Sequence, residues 1–129
     1  MADFSIAVEK VLNHEGGFTP GLPNDPGGAT NFGISQRAYP DLDIKRLSVE
    51  DAKAIYQRDY WKPWMESLED QQLANCLLDC AVNQGPSVAA QLSQVSQGLR
   101  DFQLHRLLRY ALSNKPQFYK SWFHRVLDV

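Results

Sequence analysis

Apolar residues recur at helical spacing at the start of the chain. They occupy positions i, i+4, i+7 and i+8 of the first run: Phe4, Val8, Val11 and Leu12. Such a stripe is typical of a helix with one buried face. The sequence therefore predicts a first helix over residues 3 to 15, which ends at the acid Glu15, directly before two glycines.

Two later segments carry the same periodicity. Ser48 begins a capping box, Ser-Val-Glu-Asp, and predicts a helix from about residue 49 to residue 60. The strongest stripe lies between Asp70 and Asn83, and its members are Leu73, Cys76, Leu77, Cys80, Ala81 and Gln84. Gly85 and Pro86 end it, so we interpret this segment as a central buried helix.

Three further helices are predicted in the C-terminal third. The first begins at Pro86 and runs to about Gln94, since proline suits a first helical turn. The second carries apolar residues from Leu99 to Leu112, and the last is centred on Trp122.

The segment between the first two helices has a different composition. Eight Gly and Pro residues fall within the thirteen residues 16 to 28, which predicts a long, sharply turning loop. The following Ala-Thr-Asn-Phe-Gly-Ile-Ser run favours a short strand or hairpin. The predicted fold class is therefore mainly α within α+β: a helical bundle around a central buried helix, with one small β-hairpin next to a cleft.

Length and composition are those of one globular domain. The chain has 129 residues, of which 43% are hydrophobic and 22% charged, so we expect a single domain over residues 1–129. No apolar run approaches the roughly 20 residues that span a bilayer, so we expect no stable membrane insertion. The amphipathic N-terminus lacks an export signal, which predicts accumulation in the cytoplasm of a host bacterium until release to the wall.

No cofactor or metal site is expected. Cys76 and Cys80 are four residues apart in a helical pattern, a spacing unsuited to a disulfide, and we interpret them as core residues. The three histidines lie far apart without ligand spacing, and no phosphate-binding glycine loop is present.

Charge is distributed unevenly along the chain. The net charge is −2, but residues 100–125 contain six Lys or Arg against one acid, Asp101, for a local net charge of +5. The plainer interpretation is a solvated basic helix face; a surface that touches anionic wall polymers or a membrane is the alternative. We expect no nucleic-acid partner and a monomer.

Glu15 is the first candidate for acid chemistry. A carboxylate at a helix C-terminus faces the unpaired carbonyls of the last turn, which disfavour its charged form. A general acid that works near neutral pH needs such a bias toward the neutral form. Asp25 in the loop and Thr30 on the hairpin are the other polar groups that could border the same cleft.

Four segments, HEGGF, DPGGATNFGIS, YQRDYWKPW and DCAVNQGP, stand in this order between His14 and Pro86, within a match that runs from about residue 3 to residue 86. In order and separation they resemble glycoside hydrolase family 108, the bacterial and prophage muramidases of the lysozyme superfamily. The resemblance implies a lysozyme-like fold with Glu15 as catalytic acid, and it matches the family's loop Asp and hairpin Thr to Asp25 and Thr30. The Thr would help to position the attacking water.

The chain departs from this family in two places. Where members often have an earlier Asn-Asp-Pro, residues 19–23 read Thr-Pro-Gly-Leu-Pro, so Asp25 is the one remaining loop acid. After Gln94, only the terminal run LLRYALSNKPQFYKSWFHRV resembles the family's peptidoglycan-binding-like part. We therefore divide the domain into a catalytic core, 1–86, and C-terminal helices, 87–129, as a shortened remnant of that part.

Several other residues are candidates for substrate binding. Tyr60, Trp61 and Trp64 could line a cleft, because aromatic faces stack on sugar rings, or could equally belong to the core. Asp79 and Asn83 lie four apart beside the apolar stripe and either secure neighbouring structure or line the cleft opposite Glu15. Asn31, on the hairpin, is the sixth candidate.

Three functions compete at this point. The leading one, implied by the resemblance, is a muramidase that cleaves the β-1,4 bond between N-acetylmuramic acid and N-acetylglucosamine in bacterial peptidoglycan, as a phage or prophage endolysin. The second is a lytic transglycosylase on the same scaffold, for which the muramic acid 6-hydroxyl is the nucleophile. The third is a non-catalytic wall-binding or secretion-assisting protein.

Overall fold

A computed structural model describes residues 1–21 and 27–129. Within these ranges the α-helices are α1 (Phe4–Leu12), α2 (Val49–Asp59), α3 (Pro63–Glu66), α4 (Gln71–Gln84), α5 (Pro86–Val95), α6 (Gly98–Leu112) and α7 (Tyr119–Asp128). Two strands, β1 (Thr30–Asn31) and β2 (Ile34–Ser35), and two short 3-10 helices, Ile44–Arg46 and Pro116–Phe118, complete the described elements. This arrangement confirms the predicted mainly α, α+β fold.

Helix α4 is the centre of the molecule, as the sequence predicts. Every residue from Ala74 to Ala81 is buried, and α1, α3, α5 and α6 all pack against this helix. A helix buried all round must be covered on every side, so its neighbours are fixed in position by it. Asp70 caps its first turn through Gln72 and Leu73, and Gly85, at φ 104°, ends it.

Helix α1 is shorter than the apolar pattern predicts. It ends at Leu12, and the chain continues in tight turns in which Glu15 N–H donates to the Leu12 carbonyl at 3.2 Å. Glu15 therefore lies in a bend three residues beyond the helix, where its direction is set by the turn. The predicted capping box of α2 is present, with Ser48 and Asp51 bonding each other's backbone N–H groups.

The hairpin is small and closely attached to its surroundings. Its strands pair Thr30 with Ser35 and Asn31 with Ile34, and the two turn residues between them both have positive φ. This is the backbone of a type I′ turn, which matches the twist of paired strands. The Asn31 side chain donates to the Ile44 carbonyl at 3.0 Å and thereby connects the hairpin to the first 3-10 helix.

The core is continuous from the first helix to the sixth. Val8 and Val11 of α1, Leu77 and Leu78 of α4 and Phe102 of α6 are fully buried in one cluster. Cys76 and Cys80 are free and belong to this cluster, as predicted, and burial raises the pKa of the Cys80 thiol to about 12. None of the described helices is both long and apolar enough to cross a bilayer.

Candidate active site

The carboxylate of Glu15 is held between two distant parts of the chain. Arg125, on α7, donates from Nη2 to Glu15 Oε1 at 2.8 Å, and the Glu15 side chain is 17% exposed. On its other side lies the hairpin turn: a Cβ added at Gly33 would stand 2.6 Å from both Cδ and Oε2 of Glu15. The structure thus brings together residues that are 110 positions apart in sequence.

The hairpin turn beside Glu15 is held by hydrogen bonds to the backbone N–H and to the backbone carbonyl of Phe32. The Phe32 N–H donates to the Gly16 carbonyl at 3.0 Å, and its carbonyl accepts from the Tyr56 hydroxyl. Phe32 has a φ of 51°, a conformation that a bulky residue adopts only when its surroundings enforce it. Burial, followed by the neighbouring charge of Glu15, raises the pKa of the Tyr56 hydroxyl, so Tyr56 remains a donor.

Arg125 also belongs to a buried chain of ion pairs. Its Nε donates to Asp79 Oδ1 at 2.9 Å, and the second Asp79 oxygen accepts from Arg106 Nη2 at 3.0 Å. Asp79 and Arg106 are both fully buried. Since the group contains Glu15 and Asp79 against two guanidinium groups, its formal charges cancel, which a buried cluster requires.

The charges in this cluster reinforce one another. Burial alone would lower the pKa of the Arg125 guanidinium, but the carboxylates of Asp79 and then Glu15 outweigh burial and raise it. The same balance, with Asp79 as the main carboxylate, raises the pKa of Arg106. Both arginines are therefore permanent cations.

A second contact joins α7 to the segment that carries Glu15. The His14 ring Nε2 lies 2.8 Å from Asp128 Oδ2, and the His14 side chain is largely buried. His14 and Glu15 are thus attached to the same face of α7, one turn apart. The position of the candidate acid depends on the last helix of the chain as much as on the first.

The other two catalytic candidates belong in sequence to the loop and to the hairpin. Asp25 lies outside the described residues. Thr30 is on β1, and its backbone exchanges two hydrogen bonds with Thr19, at 2.8 and 2.9 Å, so the two arms of the loop are paired. Gly21 packs so closely on Gly28 that a Cβ would lie 2.7 Å from its carbonyl carbon, which requires glycine there.

Three of the predicted substrate contacts are buried instead. Asp79 is occupied by the two arginines, and Asn31 donates to backbone carbonyls of the 3-10 helix. Trp61 is 6% exposed and makes an edge-on contact with Phe4, with ring centres 5.6 Å apart. These side chains are at most 6% exposed and make interior contacts, so we interpret Asp79, Asn31 and Trp61 as structural residues.

The remaining candidates keep some access to solvent. Tyr60 and Trp64 are half-buried against the core, and Tyr60 contacts Tyr56, the donor to the turn beside Glu15. Asn83 is exposed and accepts from the Tyr110 hydroxyl. Asn83 also borders a groove of about 640 Å³ between α4, α5, α6 and α7, whose lining does not include Glu15.

Sequence reasoning missed the cation beside Glu15. Arg125 stands in a basic segment that could be interpreted as a solvated face, and nothing local marks it as different from its neighbours. The available signal was Asp79: an acid within a buried helix requires a cation from elsewhere in the fold. Among the described residues, no group of three His, Cys, Asp or Glu could hold a metal ion.

Comparison with known proteins agrees with this fold. The sequence profile of glycosyl hydrolase 108 matches residues 8–85. The structure of Brucella abortus SagA is similar, with a TM-score of 0.77 and 27% identity over 95% of this chain and 88% of that chain. No match was found among curated proteins.

Fold and site together define a lysozyme-like α+β glycoside hydrolase, with a glutamate in the bend after the first helix and a hairpin against it. Since the profile covers more than half of the chain, the protein belongs to the glycosyl hydrolase 108 family.

Proposed function

We propose that this protein is a peptidoglycan hydrolase of the N-acetylmuramidase type, which cleaves the β-1,4 bond between N-acetylmuramic acid and N-acetylglucosamine. The observation that supports it is the Glu15 carboxyl, fixed between Arg125 and the hairpin turn in a glycoside hydrolase fold. In this proposal Glu15 is the general acid that protonates the glycosidic oxygen as the bond to the anomeric carbon breaks.

The two oxygens of Glu15 have different surroundings. Oε1 accepts from Arg125, whereas Oε2 lies against the backbone of Gly33. We assign the transferred proton to Oε2. When that proton leaves, the negative charge that remains is stabilised by the guanidinium at 2.8 Å.

Hydrolysis also needs a water at the anomeric carbon. We assign the water to the hairpin side, where the Thr30 hydroxyl would position it and Asp25 would take its proton or stabilise positive charge on the sugar. We expect Thr30→Ala and Asp25→Asn to lower turnover by less than Glu15→Gln does, because each acts on the water and not on the leaving group. Initial rates on purified peptidoglycan compare the three.

Product analysis tests the proposal. Purified peptidoglycan is digested by the parent, by Glu15→Gln and by Glu66→Gln, a control that removes an exposed acid on α3. Reducing-end muropeptides, seen by mass spectrometry for the parent and the control but not for Glu15→Gln, are the expected result. Products with 1,6-anhydro ends would mean a lytic transglycosylase, and no products from any variant would mean a wall-binding protein without this activity.

We further propose a role in phage- or prophage-mediated lysis, with the protein held in the host cytoplasm until it reaches the wall. The resemblance of the four sequence segments supports this role. Detection of the protein in the periplasm of intact, uninduced cells would contradict it.

A further inference from the structure

The exposed side of helix α6 is apolar. Leu104, Leu108 and Leu112 are 63%, 55% and 76% exposed, and their spacing of four residues places them along one face. Each lies two residues, or about 200° around the helix, from one of the buried residues Phe102, Arg106 and Tyr110. The leucine face is therefore opposite the side by which α6 packs on the molecule.

This face departs from the usual arrangement of a surface helix, although α6 also buries Phe102 and Tyr110. α6 buries a guanidinium, that of Arg106, and presents leucines outward, although a solvated helix normally does the reverse. Contiguous apolar surface of this kind is typical of interaction sites, whereas exposed apolar residues that are scattered singly are not. Leu108 and Leu112 also line the 640 Å³ groove, so the apolar surface continues inward to Trp122.

Several cations stand close to the three leucines in sequence. Arg100 lies one turn before Leu104, Arg109 lies between Leu108 and Leu112 in sequence, and Lys115 follows in the next turn. Throughout the described part of the chain, no carboxylate is within ion-pair distance of these three cations or of Lys120. The one acid of this region, Asp101, caps the Gln97 N–H at 2.8 Å.

We infer that this leucine face binds the surface of an anionic lipid bilayer, with the leucines at the level of the upper acyl chains and the cations at the headgroups. A bilayer supplies both an apolar phase and negative charge in one plane. A soluble anionic wall polymer offers only the charge. A second copy of this chain would bring two sets of unpaired cations together, which disfavours self-association.

Vesicle co-sedimentation tests this inference on the full chain. The parent is expected to bind vesicles of phosphatidylglycerol and phosphatidylethanolamine, less so at high salt, and not to bind phosphatidylcholine vesicles. We expect Leu108→Ser with Leu112→Ser to weaken binding by about tenfold or more, since two apolar anchors are lost. Ile6→Ser, an exposed apolar residue on α1, is the matched control and should bind like the parent.

A second variant changes charge and leaves the leucines in place, so the inference can still be tested if the double leucine variant does not fold. Arg109→Gln with Lys115→Gln removes two exposed cations, and it should weaken vesicle binding and flatten its salt dependence. Equal binding to neutral vesicles, parent-like binding by both double variants, or no binding by the parent at low salt would each overturn the inference. So would a dimer in sedimentation velocity that the leucine variant abolishes, because the face would then be an interface between copies.

Release of muropeptides from purified peptidoglycan should be unchanged in all these variants, which separates this inference from the proposed enzymatic function.

Discussion

Arg125 connects the candidate acid to the interior of the protein. Its guanidinium satisfies Asp79, which has no access to solvent, and at the same time fixes one oxygen of Glu15. A single long side chain therefore serves the stability of the core and the geometry of the site. Replacement of Arg125 by lysine separates its effect on stability from its effect on the geometry of the site. A lysine keeps the charge but loses the planar fork that reaches both carboxylates.

Replacement of Arg125 by Ala leaves Asp79 with Arg106 as its remaining cation. We expect a loss of about 3 kcal/mol in the free energy of unfolding, as for other broken buried pairs, together with a large loss of activity. Arg125→Lys should recover part of the stability and less of the activity. Urea unfolding and initial rates measure the two, and an Arg125→Ala protein with parent activity would show that Glu15 needs no such support.

Gly33 is the second residue whose identity the site dictates. A Cβ there would overlap the Glu15 carboxyl and come within 2.7 Å of the Tyr56 hydroxyl, and the φ of 78° adds strain for any other residue. We expect Gly33→Ala to lose about 1–3 kcal/mol of stability and most of the activity. Gly17→Ala, with no atom within 4 Å of the added Cβ, is the control.

At the scale of elements, periodicity predicted the helices well but not what lies between them. Stripes such as Leu73, Leu77 and Ala81 report which face is buried, so the central helix was predictable. The β-branched and aromatic residues of the run 29–35 predicted a short strand or hairpin. The attachment of the hairpin to its surroundings could not be predicted. The hydrogen bonds that Phe32 makes with Gly16 and with Tyr56 depend on contacts that no local pattern encodes.

Helix α2 is joined to the segment after the hairpin by a hydrogen bond whose acceptor is a titratable carboxylate, that of Asp59. The Tyr39 hydroxyl donates to Asp59 Oδ2 at 2.6 Å. Hydrogen bonds from Arg58 lower the pKa of Asp59 to about 2, burial opposes this shift, and the bond from Tyr39 adds to it. A carboxyl whose pKa is lowered by folding contributes stability above its unfolded pKa of about 3.9, and that stability is lost as the pH falls toward 2.

We therefore expect Asp59→Asn to be less stable than the parent above pH 5, by about 1 kcal/mol, since the carboxylate is partly exposed to solvent. The difference should shrink below pH 4 and be largely lost at pH 2, where about half of the parent carboxyl is protonated. Thermal unfolding of both proteins from pH 2 to pH 7 measures it. Asp41→Asn, an exposed acid nearby, should run parallel to the parent, and a constant gap across the whole range would contradict the assignment.

At the scale of the whole molecule, the site is assembled from both ends of the chain. Glu15 follows the first helix, and the cation that holds it comes from the last. Sequence reasoning and resemblance found Glu15 because it lies within a recognisable local segment. Arg125 could not be found in this way, because its role exists only once the fold has brought α7 to the Glu15 bend and to the Asp79 side chain.

The predicted division into residues 1–86 and 87–129 has a direct test in this arrangement. A chain of residues 1–86 would uncover the sides of α4 against which α5 and α6 now pack, and would leave Asp79 with neither arginine. We expect such a fragment to lack a cooperative unfolding transition and to be inactive on peptidoglycan, because apolar and charged groups of its central helix would both be uncovered. Circular dichroism during thermal unfolding and amide dispersion in NMR spectra show whether the fragment folds cooperatively.

Addition of residues 87–129 as a separate chain is the informative control, since recovered folding and activity would attribute the defect to the missing contacts of α5, α6 and α7. A fragment that folds cooperatively and releases muropeptides alone would show instead that the C-terminal helices are a separable addition, and that Arg125 is dispensable for Glu15.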